Sequence, residues 1–203
     1  MTEAVLVSEH DGFWTVTLNR PDKANALTVE MLNRLADIAA EASSAKTFIL
    51  TGAGKIFSAG ADLDHVSTLA THPTWERLSG NIAAINGLTI AALNGTVAGG
   101  SFGMVLACDL RIAAVGTKFF YPVLKMGVLP QPSDPGRMAQ LVGPARTKMI
   151  LLAAQKIDAP TAQTWGLVDE VVETDQLMHR AHALAQSMQT ANPSHVRTIK
   201  NTV

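Results

Sequence analysis

Apolar positions along the chain switch between strand-like runs and helical spacing. Val5 to Val7 and Phe13 to Leu18 flank Asp11-Gly12, a pattern that predicts a β-hairpin with a tight turn. Asn19-Arg20-Pro21-Asp22 then breaks the pairing, because proline has no N–H to give to a ladder. From Thr28, a suitable N-cap, Met31, Leu32, Leu35, Ile38, Ala39 and Ala42 recur at helical spacing, with Glu30 in the favourable first turn. Phe48-Ile49-Leu50 reads as the next strand, Trp75 to Asn86 as a helix and Thr89 to Leu93 as a strand. A short helix over Gly103 to Cys108 and a strand over Leu110 to Ala114 follow, ahead of Phe119-Phe120. This alternation predicts an α/β layered fold whose ligand sits at the carboxyl ends of the strands. Beyond Asp134 the pattern is mostly helical, over Met138 to Val142, Ala145 to Ala154, Pro160 to Trp165 and Asp175 to Thr190, with one short strand at Val168 to Val172. No repeat at a fixed period, low-complexity tract or long linker divides the chain, so residues 1–203 read as a single domain. Residues 1–133 form its core and residues 134–203 a mainly helical region.

Composition narrows the partners. At 203 residues and 47% hydrophobic content, one sizeable core is affordable. A formal net charge of −1 without any run of Lys or Arg argues against nucleic acid or an anionic membrane surface, and small molecules are the better expectation. The N-terminal stretch lacks a basic segment followed by a long apolar one, and no run approaches the ~20 apolar residues that span a bilayer. A cytoplasmic protein is therefore expected. The single cysteine, Cys108, excludes an intramolecular disulfide and reads as a small buried apolar residue rather than a nucleophile.

Two glycine-bearing turns carry the chemistry. Phe57-Ser58-Ala59-Gly60-Ala61-Asp62-Leu63 and Asn94 to Gly103 each follow a short apolar run and read as strand-to-loop junctions. Glycine there permits positive φ or close approach of a ligand, so N–H groups from two loops can converge on one oxygen. The second turn also opens a helix, whose unpaired first-turn amides favour negative charge. The chemistry implied is stabilisation of an anion derived from a carbonyl.

The same residues carry a resemblance. Asn19 to Leu27, Phe57 to Leu63, Asn94 to Asp109, Phe119-Phe120-Tyr121-Pro122, Leu141 to Arg146 and Ala162 to Val168 together resemble the crotonase superfamily, the enoyl-CoA hydratase/isomerase family, over nearly the whole chain. The resemblance implies a crotonase-like spiral of β-β-α units with a helical C-terminal region that mediates assembly into a trimer or dimer of trimers. It implies an acyl-CoA substrate, with coenzyme A arriving as part of that substrate and no separate cofactor. By similarity the oxyanion-hole donors are the amides of Ala61 and Gly100, and CoA lies across Lys23, Ala24, Ala59, Asp62 and Leu63. Two departures from the family stand out: the stretch between Asp62 and Trp75 is short, and the helical C-terminal region is shortened, ending at Val203.

Relatives that hydrate a 2-enoyl thioester use two glutamates, and Gly103 and Val123 stand at those positions. A positioned acid or base typically contributes ~10²- to 10⁴-fold, so ordinary hydratase activity is disfavoured. The segment Tyr121 to Gln131 is more similar to the 3-enoyl-CoA isomerases, but Gln131 occupies the position of their glutamate, and an amide orients without shuttling a proton. Asp134 is then the nearest carboxylate that can act as base, although Asp before Pro-Gly is more often a turn or cap residue. Tyr121 and Lys125 are the other ionisable groups on the segment, with a core or wall position and a solvent-facing one as their plainer readings.

Two alternatives complete the reading. Gly99-Gly100-Ser101-Phe102-Gly103 matches a G-x-S-x-G nucleophile elbow, and Asp158 or Asp169 with His195 would supply the order of a serine hydrolase. Alternatively, the protein binds acyl-CoA without turning it over. Among the histidines, His65 follows the first glycine turn and is the one placed to reach an acyl group. His179 and His182 are three apart on a helix but lack a nearby Cys or carboxylate, and no metal is assigned.

Overall fold

The computed structural model describes residues 3–203, and residues 65–67 by their backbone alone. The chain opens with β1 (Val5–His10) and β2 (Phe13–Leu18), paired antiparallel around Asp11 and Gly12, both at positive φ. The hairpin is as the sequence predicts. Next comes α1 (Val29–Glu41), capped by Thr28, whose Oγ1 accepts the Met31 N–H. After β3 (Thr47–Gly52) and β4 (Ile56–Ser58) come α2 (Val66–Leu69) and α3 (Thr74–Ala83). The same pattern continues with β5 (Leu88–Leu93), β6 (Thr96–Ala98) and α4 (Phe102–Leu106), then β7 (Leu110–Ala114), β8 (Lys118–Phe120) and α5 (Val123–Met126). The C-terminal region holds α6 (Asp134–Leu151), β9 (Ile157–Asp158), α7 (Ala159–Trp165), β10 (Glu170–Val172), α8 (Leu177–Ala185) and α9 (Pro193–Lys200).

The strands fall into a six-stranded sheet, β1-β2-β3-β5-β7-β10, and a four-stranded sheet, β4-β6-β8-β9. Each successive strand pair gives its first member to the large sheet and its second to the small one: β3 and β4, β5 and β6, β7 and β8. That is a spiral of β-β-α turns. The turns differ in length, which is why no fixed period is visible in the sequence. The parallel partners β4, β6 and β8 end side by side, so the chain leaves them at one edge of the small sheet. The Gly60 turn, the Gly99-Gly100 turn and Tyr121 emerge there together.

Alternation along the strands of the large sheet splits the core. Phe48 and Leu50 of β3 face α1 and α3 in the main core, together with Phe57, Phe102 and Phe119, whereas Ile49, Ile90, Ala92 and Ile112 face the other way. That second face is covered by Leu177, Ala181 and Ala185 of α8. Three details differ from the sequence reading. The two helices expected over 138–142 and 145–154 are present within α6, separated where Gly143 takes non-helical φ 81° and ψ 160° ahead of Pro144, but the first begins earlier, at Asp134. The helix expected over 175–190 is α8 between two 3₁₀ turns. Residues 193–200, left without structure by the sequence, form α9, and Lys200 ties it to the sheet by donating to the Gly87 carbonyl at 3.0 Å and to Asp109 Oδ2 at 2.7 Å.

Candidate active site

The two glycine turns are in contact. Gly60 has φ +89°, and a Cβ there would fall 2.6 Å from the Ala98 carbonyl oxygen and 3.4 Å from the Gly100 nitrogen. Only a residue without a side chain lets the loops approach so closely. Within the first turn the Ala59 N–H donates to Ala24, Gly60 to Ser58 Oγ and Asp62 to Leu27, with the Leu27 N–H returning to the Gly60 carbonyl. Amides alternate sides along an extended segment, so Ala61 points its N–H away from Leu27. In the second turn Gly100 lies in the first helical turn, where amides have no partner within the helix.

Both residues line a cavity of about 450 Å³. Lys23, Ala59, Asp62, Leu63 and Gln131 also reach its wall, whereas Ala24 and Asp134 do not. Ala24 instead supports the wall, its carbonyl accepting the Ala59 N–H at 2.9 Å. The Asp62 carboxylate is held by Arg20 at 3.0 Å, Lys23 is exposed, and Leu63 is 74% exposed. The side chain of His65 lies outside the described residues. Apolar wall comes from Trp75, Val123, Met126 and Leu129 among others, and these the sequence did not single out as a group. Trp75 packs directly against Gly100, where a Cβ would meet its ring at 2.8 Å, and its Nε1 donates to the Leu69 carbonyl. The periodicity of α3 placed Trp75 in a helix but carried no sign that its ring crosses to the glycine turn.

Behind this wall sits Asp134, fully buried. Its Oδ2 accepts the Tyr121 hydroxyl at 2.8 Å, while Oδ1 has no hydrogen-bond partner. Burial pushes the carboxyl up to about 7; the Tyr121 bond pulls it down, Glu76 raises it and Arg137 lowers it. The same burial, together with the charge of Asp134, holds the Tyr121 phenol above its ordinary range, so it stays protonated. Tyr121 also accepts the Gln131 N–H at 3.3 Å, and its ring stacks on Phe102 at 5.2 Å. Glu76 of α3 fixes the start of α6, accepting both the N–H and the hydroxyl of Ser133.

The serine-hydrolase alternative does not survive the geometry. Ser101 is fully buried with an ordinary φ of −65°, and its Oγ donates to the Ala98 carbonyl at 2.7 Å. Asp158 caps α7 by accepting the Thr161 N–H, Asp169 accepts the Arg111 N–H, and His195 is exposed on α9. The three residue types serve separate structural ends. Cys108 likewise is buried, which pushes its thiol up to about 12, and it donates to the Met104 carbonyl. Among the described residues no cluster of three His, Cys, Asp or Glu side chains is placed to hold a metal ion.

The model of the enoyl-CoA hydratase/isomerase family matches residues 8–203. This chain belongs to that family. The probable enoyl-CoA hydratase echA8 of Mycobacterium leprae is 33% identical to it over 208 residues, covering 99% of this chain and 81% of its own. The 2,3-dehydroadipyl-CoA hydratase of Escherichia coli is 30% identical, covering 97% and 80%. Pseudomonas aeruginosa DspI superposes with a TM-score of 0.90 at 30% identity, covering 98% of this chain and 86% of its own. An enoyl-CoA hydratase/isomerase from Pseudoalteromonas atlantica gives 0.91 at 28%, covering 98% and 82%. The crotonase fold is thus established. Similar proteins carry the names of hydratases, a dehydratase and an isomerase, so membership alone leaves the reaction open.

Proposed function

We propose that the protein binds an acyl-CoA thioester with its carbonyl oxygen between the amides of Ala61 and Gly100, and isomerises a 3-enoyl-CoA through the thioester enolate. The observation that carries this reading is the meeting of two glycine turns at one apolar-walled cavity. Amide dipoles fixed in a site of low dielectric stabilise a developing oxyanion without reorganisation. Lys23, at the exposed margin, suits a phosphate of CoA, with Ala24, Ala59, Asp62 and Leu63 along the pantetheine and adenine path. Hydration is disfavoured because Gly103 and Val123 offer no titratable side chain, and the base in this reading is Asp134, which lies behind the wall and meets it through Tyr121. In this reading the protein is cytoplasmic and assembles as a homotrimer or a dimer of trimers, which light scattering would read as three or six chain masses.

A second reading, acyl-CoA binding without turnover, is favoured by the same two positions. Incubation with 3-enoyl-, 2-enoyl- and malonyl-type CoA esters in D₂O separates the two. Deuterium entering at the α-carbon supports enolate formation. Calorimetric binding without exchange would leave a binding protein, and absence of affinity for every ester would refute both.

A further inference from the structure

We propose that Tyr121 is the catalytic proton-transfer residue of the cavity, and that Asp134 acts through it as a positioning residue and proton acceptor. The proposal rests on the thioester-enolate reading above and names its proton path. Four of the described residues that line the cavity carry a side chain able to exchange a proton: Lys23, Asp62, Asp64 and Tyr121. Lys23 and Asp64 are exposed, and Asp62 is paired with Arg20. Tyr121 alone is buried, 3% exposed, yet borders the cavity.

Its surroundings fix the direction of transfer. The Phe102 stack holds the ring, the Gln131 N–H occupies one lone pair of Oη, and the hydroxyl proton points at Asp134 Oδ2. One lone pair remains. Asp134 is too deep to touch a ligand, and its unpartnered Oδ1 faces Gly103, where a Cβ would lie 3.1 Å away. A buried carboxylate with an unsatisfied oxygen gains by taking up a proton.

The step balances. As the C–H bond at the α-carbon of a 3-enoyl thioester breaks, its proton bonds to Tyr121 Oη while the original hydroxyl proton passes to Asp134 Oδ2. The C–H electron pair becomes the C=C of the dienolate, and the carbonyl π pair moves onto the oxygen at the amides of Ala61 and Gly100. Return of the proton at the γ-carbon, with Tyr121 regaining its own from Asp134, yields the 2-enoyl thioester. Two neighbours besides Tyr121 bear on the charge of Asp134: Glu76 of α3 and Arg137 of α6.

The test uses trans-3-hexenoyl-CoA in D₂O with the intact protein, reading deuterium at the α- and γ-carbons by mass spectrometry and affinity by calorimetry. Tyr121→Phe should slow exchange ~10²-fold or more, the range of a lost acid–base group, with affinity kept within about twofold. Asp134→Asn should slow it as well and abolish the rise of the wild-type rate with pH near 7, and Asp134→Glu should restore part of that rise. Wild-type exchange rates in Tyr121→Phe would overturn the relay while leaving the thioester reading intact. A wild-type rate and pH profile in Asp134→Asn would remove Asp134 from it. Binding by the wild type without any exchange would overturn relay and enolate chemistry together.

Discussion

Gly103 and Asp134 share one space: a Cβ on Gly103 would lie 3.1 Å from Asp134 Oδ1 and 3.8 Å from its Cγ. Gly103 leaves α4 without a side chain at this point, and a carboxylate from the first turn of α6 faces the gap. Tyr121 stands between that carboxylate and the cavity, its hydroxyl donating to Asp134 Oδ2 at 2.8 Å.

Gly103→Ala should therefore destabilise the protein by about 1–3 kcal/mol, the usual cost of overpacking, because Asp134 is anchored by Tyr121 and can yield little. Adding Asp134→Ala removes the neighbour, so the double variant should lose less than the sum of the two single losses. Urea midpoints for the four proteins close this cycle. An unchanged midpoint in Gly103→Ala would show that the carboxylate is free to move aside.

Asp134 also sets a pH dependence. Its ordinary value is 3.8 and burial raises it to about 7, so between those values the folded state keeps a proton that the unfolded state has released. Stability from this group is complete at low pH and is lost as pH rises through the window, with a slope of up to ~1.4 kcal/mol per pH unit. Asn at 134 cannot titrate. Urea unfolding at pH 5, 6, 7 and 8 should show the wild type losing ground to Asp134→Asn as pH rises, and parallel curves would place the carboxyl at its ordinary value.

Much of this was legible in the sequence because short-range rules governed it. The hairpin follows from Asp11-Gly12, α1 from the spacing of its apolar residues and the Thr28 cap, and the glycine turns from their position after apolar runs. What escaped depends on the third dimension. Ser101 satisfies a five-residue pattern, yet its hydroxyl is turned onto the Ala98 carbonyl, and no linear motif encodes that rotamer. Tyr121 and Asp134 are thirteen positions apart, and nothing in the linear pattern pairs them. Only the return of α6 beneath the end of β8 joins them. The break at Gly143, by contrast, was legible, because glycine ahead of proline interrupts the helical run there.

Gly60→Ala should be among the most damaging small substitutions. The residue holds φ +89°, and the new Cβ would meet the Ala98 carbonyl at 2.6 Å, a backbone atom that cannot rotate away. Positive φ alone costs on the order of 1 kcal/mol for an alanine, and the overlap adds to it. Gly116→Ala is the control, with nothing within 4 Å and no positive φ. It should be neutral or gain up to about 1 kcal/mol through the unfolded state. Thermal melts of both should therefore move in opposite directions or differ by several degrees, and equal melts would contradict the close contact of the two turns.

Replacing the Gly100 N–H by an ester oxygen, through incorporation of glycolic acid, isolates the hole from sterics. Gly100→Pro would delete the same donor but would drive a ring into Trp75, which already stands 2.8 Å from the Cβ position. The ester adds no atoms, so loss of one donor should cost ~2.7–4 kcal/mol in the exchange barrier, about 10²- to 10³-fold in rate. Unaltered exchange would place the carbonyl elsewhere.

Lys23 tests the path of coenzyme A. It is exposed at the cavity margin, and an exposed ion pair with a phosphate contributes ~0.2–1 kcal/mol. Lys23→Ala should weaken binding of a CoA ester roughly 2- to 5-fold at low ionic strength, an effect that salt screens away. Affinity for the matching pantetheine ester, which lacks the nucleotide phosphates, should stay the same. Calorimetry with both esters at low and high salt distinguishes a charge contact from a change in the shape of the cavity, because a reshaped wall would weaken both ligands alike and ignore the salt.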